Sequence, residues 1–553
     1  MLCLITFTSG IFIPFSTYAF DYVLGTGTYT KSSQSKPAKG ASITDPNFHT
    51  TVTRITDKTT DGYDADLMVP YYGRFNPENA DGTRILLGQE YYYYLYNANS
   101  PYTMIRKINP ISLGFLHSWS GGAIEVQWDA NDPNIFYYIL GSFAGSSGEI
   151  DPSDLATFNK YNIATDTRTK IHDFKNEFPT ATLVNVSTEG EPSADQRYWS
   201  WMVYNSSGTL IKQIVYDKTN DTIIHQIDNP PCGVDWITTS PDGNYTMANH
   251  MGCNNWYGQV YPWSNWPNHS SISLQQHSDT AYFYTPGVGK EQAHFGVDST
   301  YDCLGVEDYD PNGYRLRLFS YCGGTGPYCP SMEISASNFD KPGWGAVRFY
   351  AQKGGGDWYD YQIILVELNK NKCRYKQQAG GSWTACSEPE RIWRIAHVHD
   401  TGADSGGGGY WAYWASINRK GTRLYFGSNW DTPGGQVETY MVELPSTWYK
   451  DLMGNTPPTV SASATPTSGQ SPLTVKFTGS ANDPDGTIVS YRWYFGDGST
   501  STEQNPTHIY NKGGLYTTTL EVIDNGGATN RAFVSISVGD SVPPASPPGV
   551  TVK

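Results

Sequence analysis

The chain has 553 residues, more than one hydrophobic core usually serves, so we expect two or three domains. Its formal net charge is -16 and it has no Lys/Arg-rich run, which argues against nucleic acid and anionic lipid as partners. Its 56 glycines and 34 prolines interrupt the chain at short intervals, and together with 14% aromatic residues they predict an all-β fold of many short strands.

The N-terminal segment 1–20, MLCLITFTSGIFIPFSTYAF, is an apolar stretch that predicts a secretory signal peptide with a small-residue cleavage site ending at Ala19. The first basic residue is Lys31, so the usual basic start is missing, and a buried N-terminal strand is the alternative. No later segment reaches the roughly 20 apolar residues that span a bilayer. We therefore expect an exported protein, extracellular or at the cell surface, without a membrane span.

Residues 21–450 contain a recurring unit: a short apolar strand, an Asp/Asn/Gly turn and a second apolar strand. Clear copies are GRFNPENADGTRILLG at 73–88, IEVQWDANDPNIFYYIL at 124–140, VDWITTSPDGNYTMAN at 234–249 and WASINRKGTRLYFGSN at 414–429. With weaker copies, about seven units recur every 45 to 65 residues or so, the length of a four-stranded blade. The unit resembles the Asp-Gly repeat of TolB-like propellers, and the domain is predicted to be a seven-bladed β-propeller.

Seven of the eight cysteines follow the signal segment, and an exported protein can oxidise them. Cys373 and Cys386 flank RYKQQAGGSWTA, which is typical of a hairpin whose arms a disulfide would join. Other pairings stay open: Cys322 with Cys329, Cys232 with Cys253, or Cys303 with Cys322. Five sequons predict surface glycans in a glycoprotein, at Asn185, Asn205, Asn220, Asn244 and Asn268.

A propeller binds ligands at its central channel and at the loops of one face, so residues at strand starts are candidates. Asp235 and Trp236 begin such a strand. His117, which is also a catalytic candidate, and His250 are each followed by a Gly-rich loop, and Trp256 and Trp263 lie in an aromatic loop. Tyr and Trp rings stack on sugar C–H groups, which makes the loop NNWYGQVYPWSNW at 254–266 a candidate saccharide-binding surface. Alternatively, the histidines are structural residues, Asp235 caps a turn, and the aromatic rings pack between neighbouring blades. We expect such packing for the tyrosine run EYYYYLYN at 90–97.

The segment RIAHVHDTG at 394–402 places His397 and His399 two residues apart. On an extended chain both side chains would point to one face, about 7 Å apart. That separation suits two imidazoles around one divalent ion, and His294, which opens a comparable strand, could reach the same channel. The alternative is that these histidines are polar residues closing strands at a wet channel.

This arrangement resembles the oligogalacturonate lyases, propellers whose metal is held by one His and a Gln-x-x-His-x-His segment. Here Arg394 stands in the glutamine position and cannot ligate a metal. The resemblance implies β-elimination on an acidic polysaccharide, with the three histidines as metal ligands or base and Arg394 neutralising the uronate carboxylate. Related lyases of ulvan-type polysaccharides use His, Tyr and Arg without such a metal triad.

After a linker at 451–457 come Trp493, FGDG at 495–498, Pro506-x-His508-x-Tyr510, Gly514-x-Tyr516 and Asp524 before a Gly turn. With these motifs, residues 458–538 resemble the PKD domain, an immunoglobulin-like β-sandwich. Trp493 and Tyr516 should fill its core, and His508 should be a structural residue. Gly496 and Gly498 should form a tight turn.

Carboxylates of NDPDG at 482–486 and of Asp497 are candidate calcium ligands, with a spacing that differs from an EF-hand. Residues 539–553 are expected to be a linker to a further module. We predict a protein that recognises extracellular polysaccharide or other surface molecules, with lyase activity on an acidic polysaccharide as an extension. The alternative is a non-enzymatic structural subunit of a surface layer, adhesin or filament that self-assembles through outer patches.

Overall fold

Strands dominate the regular structure of the chain. The computed structural model describes residues 20–63, 67–70, 74–89, 92–108, 126–139, 156–186, 190–230, 233–251, 257–272, 274–285, 289–298, 303–309, 314–320, 332–349, 359, 361–378, 381–400 and 414–539. Besides strands, these residues form the short helices α1 (Lys58–Asp61) and α2 (Trp448–Met453) and a 3-10 turn at Trp263–Asn265. Neither helix has the length and apolarity needed to cross a bilayer. The predicted all-β fold is confirmed.

Seven antiparallel sheets precede residue 455 in the described part of the chain, and sheets 1 to 4 follow one another in chain order. Sheet 1 contains β3 (Arg84–Gln89), β4 (Tyr92–Asn97) and β5 (Met104–Lys107), after β1 (Ser42–Thr44) and β2 (Thr51–Arg54). Sheet 2 contains β6 (Val126–Trp128), β7 (Ile135–Ile139), β8 (Thr157–Asn162) and β9 (Thr167–Asp173). Sheet 3 contains β10 (Ala181–Asn185), β11 (Tyr198–Asn205), β12 (Leu210–Asp217) and β13 (Thr222–Asp228). Sheet 4 contains β14 (Gly233–Thr239), β15 (Tyr245–Met251), β16 (Tyr257–Pro262) and β17 (Ser270–Ile272).

Sheets 5 to 7 follow in the same way, and strands β25 and β26 extend the edge of sheet 5. Sheet 5 contains β18 (Leu274–Thr285), β19 (Gly289–Asp298), β20 (Cys303–Asp308), β21 (Tyr314–Ser320), β25 (Tyr375–Gln378) and β26 (Thr384–Ala385). Sheet 6 contains β22 (Met332–Ser335), β23 (Trp344–Phe349), β24 (Gln362–Glu367) and β27 (Ile392–His397). Sheet 7 contains β28 (Ala415–Ile417), β29 (Arg423–Ser428) and β30 (Glu438–Glu443), with β2 and then β1 beside β30.

Sheet 7 joins the two ends of this region. β2 pairs antiparallel with β30, with Val52 opposite Val442 and Arg54 opposite Tyr440. The Arg54 guanidinium donates to Glu438, with Nε at 2.6 Å and Nη2 at 2.8 Å, which adds a buried ion pair to the strand pairing. A strand from the start of the described chain therefore completes the sheet formed by the last strands before residue 455, and we call this region before residue 455 the body.

Burial explains why the strand sequences differ across a sheet. Strands β24 (QIILVE) and β27 (IWRIAH) are buried along their whole length. A strand covered on both faces needs apolar side chains at successive positions rather than at alternate ones. The last strands β9 (TRTKIHD) and β13 (TIIHQID) are mostly exposed or half-buried and are correspondingly polar.

Shared hydrophobic clusters connect each sheet to its neighbour. Pairs from one cluster are Leu95 and Tyr138 (sheets 1 and 2), Phe158 and Trp201 (2 and 3), Val203 and Ile237 (3 and 4), Met247 and Tyr309 (4 and 5), Val306 and Val347 (5 and 6), Ile395 and Phe426 (6 and 7), and Tyr425 and Tyr94 (7 and 1). Sheet 7 therefore shares a core with sheet 1 as well as with sheet 6.

The C-terminal region is a separate sandwich with its own core. One sheet contains β31 (Thr459–Thr465), β33 (Leu473–Asn482) and β36 (Thr507–Tyr510). The other contains β32 (Ser468–Gln470), β38 (Thr529–Gly539), β37 (Gly514–Asp524), β34 (Ile488–Tyr494) and β35 (Thr500–Ser501). Trp493 is fully buried in its core as predicted, whereas Tyr516 packs against the core only partly buried.

Two local predictions in this sandwich are confirmed. Gly496 has φ +83, and a Cβ there would lie 2.8 Å from the Thr517 carbonyl oxygen, so the tight turn requires glycine. His508 stacks on Phe495 with ring centroids 4.1 Å apart, and its Nε2 lies 2.7 Å from Asp497 Oδ2, a structural role.

The predicted stapled hairpin is confirmed. β25 pairs with β26 with Tyr375 opposite Ala385, and Cys373 and Cys386 form a disulfide at its base. The tyrosine run is also buried as expected, at Tyr93, Tyr94 and Tyr96. One sequon departs from expectation, because Asn185 is 1% exposed in β10 and is therefore no surface glycan site.

Candidate functional site

Two acidic side chains meet in the interior of the body. Glu191 precedes β11 and is 5% exposed, and Asp279 in β18 is 2% exposed. Burial disfavours both charges and raises the pKa of both carboxyl groups, that of Glu191 well above its usual range. The negative charge of Asp279 and its hydrogen bond with Glu191 raise the Glu191 pKa further, so Glu191 holds the proton.

Neighbouring groups fix the orientation of this carboxyl pair. Thr280 Oγ1 donates to Glu191 Oε2 at 2.8 Å, and the Ala336 amide donates to Asp279 Oδ2 at 2.6 Å. Ser337 Oγ donates to the carbonyl oxygen of Arg74 at 2.8 Å and approaches Glu191 Oε1 at 3.3 Å. Residues distant in sequence are thereby held at one polar centre.

An imidazole, an indole and a phenol lie beside the pair. His294 of β19 is 1% exposed, stacks on Trp236 of β14 at 5.8 Å and meets the edge of Tyr309 at 6.1 Å. Burial and, secondarily, the positive charge of Arg74 lower the His294 pKa well below its usual value, so the ring is neutral. The Arg74 guanidinium lies 5.3 Å from the Trp236 ring centre.

These three rings carry polar atoms without hydrogen bonds. Among the described residues, neither ring nitrogen of His294, nor Trp236 Nε1, nor the Tyr309 hydroxyl has a partner. Leaving a buried polar group unpaired typically costs about 1–3 kcal/mol. Such groups suit a bound polar molecule, and a neutral imidazole can accept a proton. We call Arg74, Glu191, Trp236, Asp279, His294 and Tyr309 the buried polar centre.

The predicted site residues fall in several places. His294 and Trp236 lie together in the buried polar centre. The backbones of Asp235 and His250 lie in β14 and β15, while their side chains are outside the described residues. His117 and Trp256 are also outside them.

The prediction that His397 and His399 lie on one extended strand and point to the same face is wrong. β27 ends at His397, and His399 has φ +48, so the chain leaves the extended conformation between them. His397 Nδ1 lies 3.1 Å from Asp45 and its ring stacks on Phe48. His399 Nδ1 lies 2.8 Å from Asp431.

The metal ligand set is not assembled in the described residues. No group of three or more His, Cys, Asp or Glu side chains among them is arranged to hold a metal ion. His397 and His399 face different carboxylates, and His294 lies with Trp236. Metal in the channel and calcium in the C-terminal domain stay predictions.

Arg394 has an internal role instead of facing a ligand carboxylate. Its Nε donates to Gln362 Oε1 and its Nη1 to the Gly27 carbonyl oxygen, both at 2.7 Å. Burial lowers its pKa to about 10. These contacts fix the N-terminal segment onto β27, which explains a buried arginine at this position.

Trp263 belongs to a half-buried aromatic surface on sheet 4 and its neighbour sheet 3. Its ring meets the edge of Tyr198 at 5.0 Å and the ring of His225 at 5.7 Å. His225 stacks on Trp266 at 5.0 Å. The indole N–H groups of the two tryptophans donate to Thr246 Oγ1 at 2.9 Å and to the Gln226 carbonyl oxygen at 3.0 Å, respectively. We call Tyr198, His225, Trp263 and Trp266 the aromatic surface.

Comparison with known proteins identifies the C-terminal sandwich. Residues 455–538 match the PKD domain family, so this part of the chain is a PKD domain, as its motifs predicted. Collagenase ColQ1 of Bacillus cereus (strain Q1) is 47% identical over 60 residues, which are 11% of this chain and 6% of that protein. The chain thus covers only a small part of this relative.

Two solved structures are similar in part. The PKD1 domain of Vibrio anguillarum Epp is 34% identical, with 16% of this chain and 98% of that chain covered and a TM-score of 0.14. The C-terminal WD40 domain of Sif2 is 11% identical over 67% of this chain and 81% of that chain. Its TM-score of 0.30 is too low to assign the fold of the body.

Proposed function

We propose that the protein is an extracellular seven-bladed β-propeller with a PKD domain and that it binds an extracellular polysaccharide. Seven successive antiparallel sheets, the pairing of β2 with β30 and the core shared by sheets 7 and 1 support the propeller. The apolar start of the sequence and the disulfide support export.

The aromatic surface carries the proposal of saccharide binding. Trp263 and Trp266 are only partly buried, so the exposed part of each indole can contact the C–H groups of a sugar ring. Their indole hydrogen bonds fix both rings before any ligand arrives, which reduces the entropy lost on binding. A row of fixed, half-exposed rings suits an extended polysaccharide better than a small ligand.

Affinity electrophoresis of the intact protein in gels containing acidic or neutral polysaccharides tests this proposal. Trp263→Ala/Trp266→Ala should weaken retardation about tenfold or more, since two stacking surfaces are lost. The matched control is Tyr375→Ala, which removes a 42% exposed ring from sheet 5. Equal retardation of all three proteins would contradict saccharide binding at the aromatic surface, and absence of retardation together with self-association in ultracentrifugation would favour the structural-subunit alternative.

Lyase activity is the second candidate function, and the buried polar centre favours it. β-Elimination on a uronate needs a base for the α proton and a positive group to neutralise the carboxylate. The neutral His294 and the Tyr309 hydroxyl could move the proton, and Arg74 could neutralise the carboxylate. This assignment requires no metal.

Incubation with acidic polysaccharides, followed by ultraviolet detection of unsaturated products, tests this candidate. Wild type should form product and His294→Gln should not, while Arg394→Gln should retain activity at the temperature where it stays folded. Metal analysis of the dialysed wild type and of His397→Ala/His399→Ala distinguishes a metal-dependent lyase mechanism from the metal-independent mechanism at the buried polar centre. Activity unchanged in His294→Gln would rule out the buried polar centre.

A further inference from the structure

The PKD domain is docked on the body, against turns at one end of the sheets. Thr519 Oγ1 donates to the Asn131 carbonyl oxygen at 3.1 Å, in the turn between β6 and β7. The Thr529 amide donates to the Asp340 carbonyl oxygen at 3.1 Å, in the turn between β22 and β23. We call the end of the body that contains these turns the turn face, represented by Asn131, Ala194, Asp242, Asp340 and Arg419.

Arg531 anchors the docked domain. Its Nη1 donates to Asp340 of the body at 2.9 Å, and its Nε donates to Glu521 of its own domain at 3.0 Å. Burial alone would raise the pKa of Glu521, but the charges of Arg531 and Arg419 lower it to about 2. One PKD arginine thus connects a carboxylate from each domain, and Arg419 of the body contributes to the same network.

A cavity of about 260 Å³ lies between the two domains. It is lined by Asp242, Lys290 and Arg419 from the body and by Arg492, Glu521 and Arg531 from the PKD domain. Phe339 and Arg419 also line a second cavity of about 30 Å³, whose wall includes Glu191 and Ser337. The cavity under the PKD domain therefore shares part of its wall with a second cavity, which reaches the buried polar centre at Glu191.

The contacts that hold the domain are mainly polar. Besides the Arg531 network, Arg492 Nη2 lies 3.9 Å from Asp195 of the body. Ala528, on the turn after β37, enters a hydrophobic cluster with body residues such as Tyr449 and Leu452. Polar interfaces between domains permit relative motion more readily than large apolar ones do.

We propose that the PKD domain is a releasable lid on the turn face, closing the entrance that leads through the interdomain cavity to the buried polar centre. The inference uses the docking contacts and the two cavities, and it holds whether or not the aromatic surface binds a saccharide. Release of Arg531 opens the entrance, and the chain that follows α2 keeps the lid attached.

Small-angle X-ray scattering and hydrogen exchange of the full chain test the lid with Arg531→Gln. The variant should have a larger maximum dimension than wild type and faster exchange in the covered turns at 129–134, 190–197 and 336–343. The turn at 78–83 serves as an internal control, because Asn418 and Arg423 of sheet 7 hold its Glu78. Arg423→Gln is the matched variant, since Arg423 also lies between two carboxylates, Glu78 and Glu443.

A reversible disulfide that fixes the PKD domain to the body provides a second test of the lid. A Cβ at Gly527 would lie 3.8 Å from Lys290 Cβ, the usual separation across a disulfide. Gly527→Cys/Lys290→Cys, oxidised and verified by peptide mapping, should stay compact at about 1 M salt, where wild type expands because its charge network is screened. Reduction should restore the expansion. Gly527→Cys alone controls for strain at φ +84.

Asp340→Asn provides a body-side variant if Arg531→Gln fails to fold, and it should open the lid in the same way. The proposal is overturned if both folded variants keep the wild-type dimension and exchange. It is also overturned if wild type at low salt is already as extended as Arg531→Gln, or if the oxidised disulfide variant expands with salt as wild type does.

Discussion

Glu191 and Asp279 form a buried carboxyl pair in the interior of the body, and burial raises the pKa of both groups, that of Glu191 well above its usual range. Glu191 lies in the connection between β10 and β11 and Asp279 lies in β18, so residues 88 positions apart in the chain meet at one polar centre. Thr280 and Ser337 reach the same carboxyl group, at 2.8 and 3.3 Å. The pair is therefore held in place by its surroundings, and its protonation is a property of the folded state.

This pair predicts a pH-dependent stability that Glu191→Gln should reduce. A carboxyl whose folded pKa is raised stabilises the protein below its unfolded pKa, and that contribution is lost as pH rises towards the folded pKa. Glutamine keeps a donor for Asp279 and cannot ionise. In urea unfolding, we expect the variant to match wild type near pH 4 and to exceed it by about 1–2 kcal/mol near pH 8. A difference that shrinks as pH rises would contradict the protonated pair.

His294→Phe separates packing from chemistry in the buried polar centre. Phenylalanine keeps the contacts with Trp236 and Tyr309 and removes two unpaired ring nitrogens, so we expect a melting temperature equal to or above that of wild type. Any lyase activity should be lost. A large fall in melting temperature would mean that the ring nitrogens have a structural partner. Tyr309→Phe makes the same test for the unpaired Tyr309 hydroxyl.

The disulfide between Cys373 and Cys386 should make a measurable contribution to the stability of the protein. It closes a loop with a sequence separation of 13, so Cys373→Ala/Cys386→Ala should lower the free energy of unfolding by about 2–3 kcal/mol. Wild type in reducing buffer should approach the variant. If reductant destabilises the variant as much as wild type, another disulfide carries the effect.

Local sequence signals predicted the elements whose structure is determined by nearby residues. The hairpin at 373–386, the turn at Gly496 and the buried Trp493 each follow from turn chemistry or alternation over a few positions. The repeated Asp/Gly turns likewise indicated successive antiparallel sheets, because the copies at 124–140, 234–249 and 414–429 each contain both strands of one pair.

The buried polar centre was not predictable by the same means. Glu191 lies in a weak copy of the repeat and Asp279 in a run of polar residues, and neither sequence indicates that they meet. Only His294 and Trp236 of that centre were singled out, each for a separate reason. The histidine pair failed because a left-handed conformation at His399 is uncommon for a residue other than glycine.

The segment that carries the histidines also carries the last prediction, because Asp400 pairs with Arg348. Arg348 is fully buried, and its Nη2 donates to Asp400 Oδ2 at 2.6 Å while Nη1 donates to the Gly427 carbonyl oxygen at 2.8 Å. Removing one partner leaves a buried charge uncompensated, so Arg348→Met should lower the free energy of unfolding by about 3–5 kcal/mol. Arg348→Met/Asp400→Leu should recover part of that loss, since both charges are then absent. A urea-unfolding double-mutant cycle measures the coupling, and additive single effects would mean that Asp400 is stabilised by groups other than Arg348.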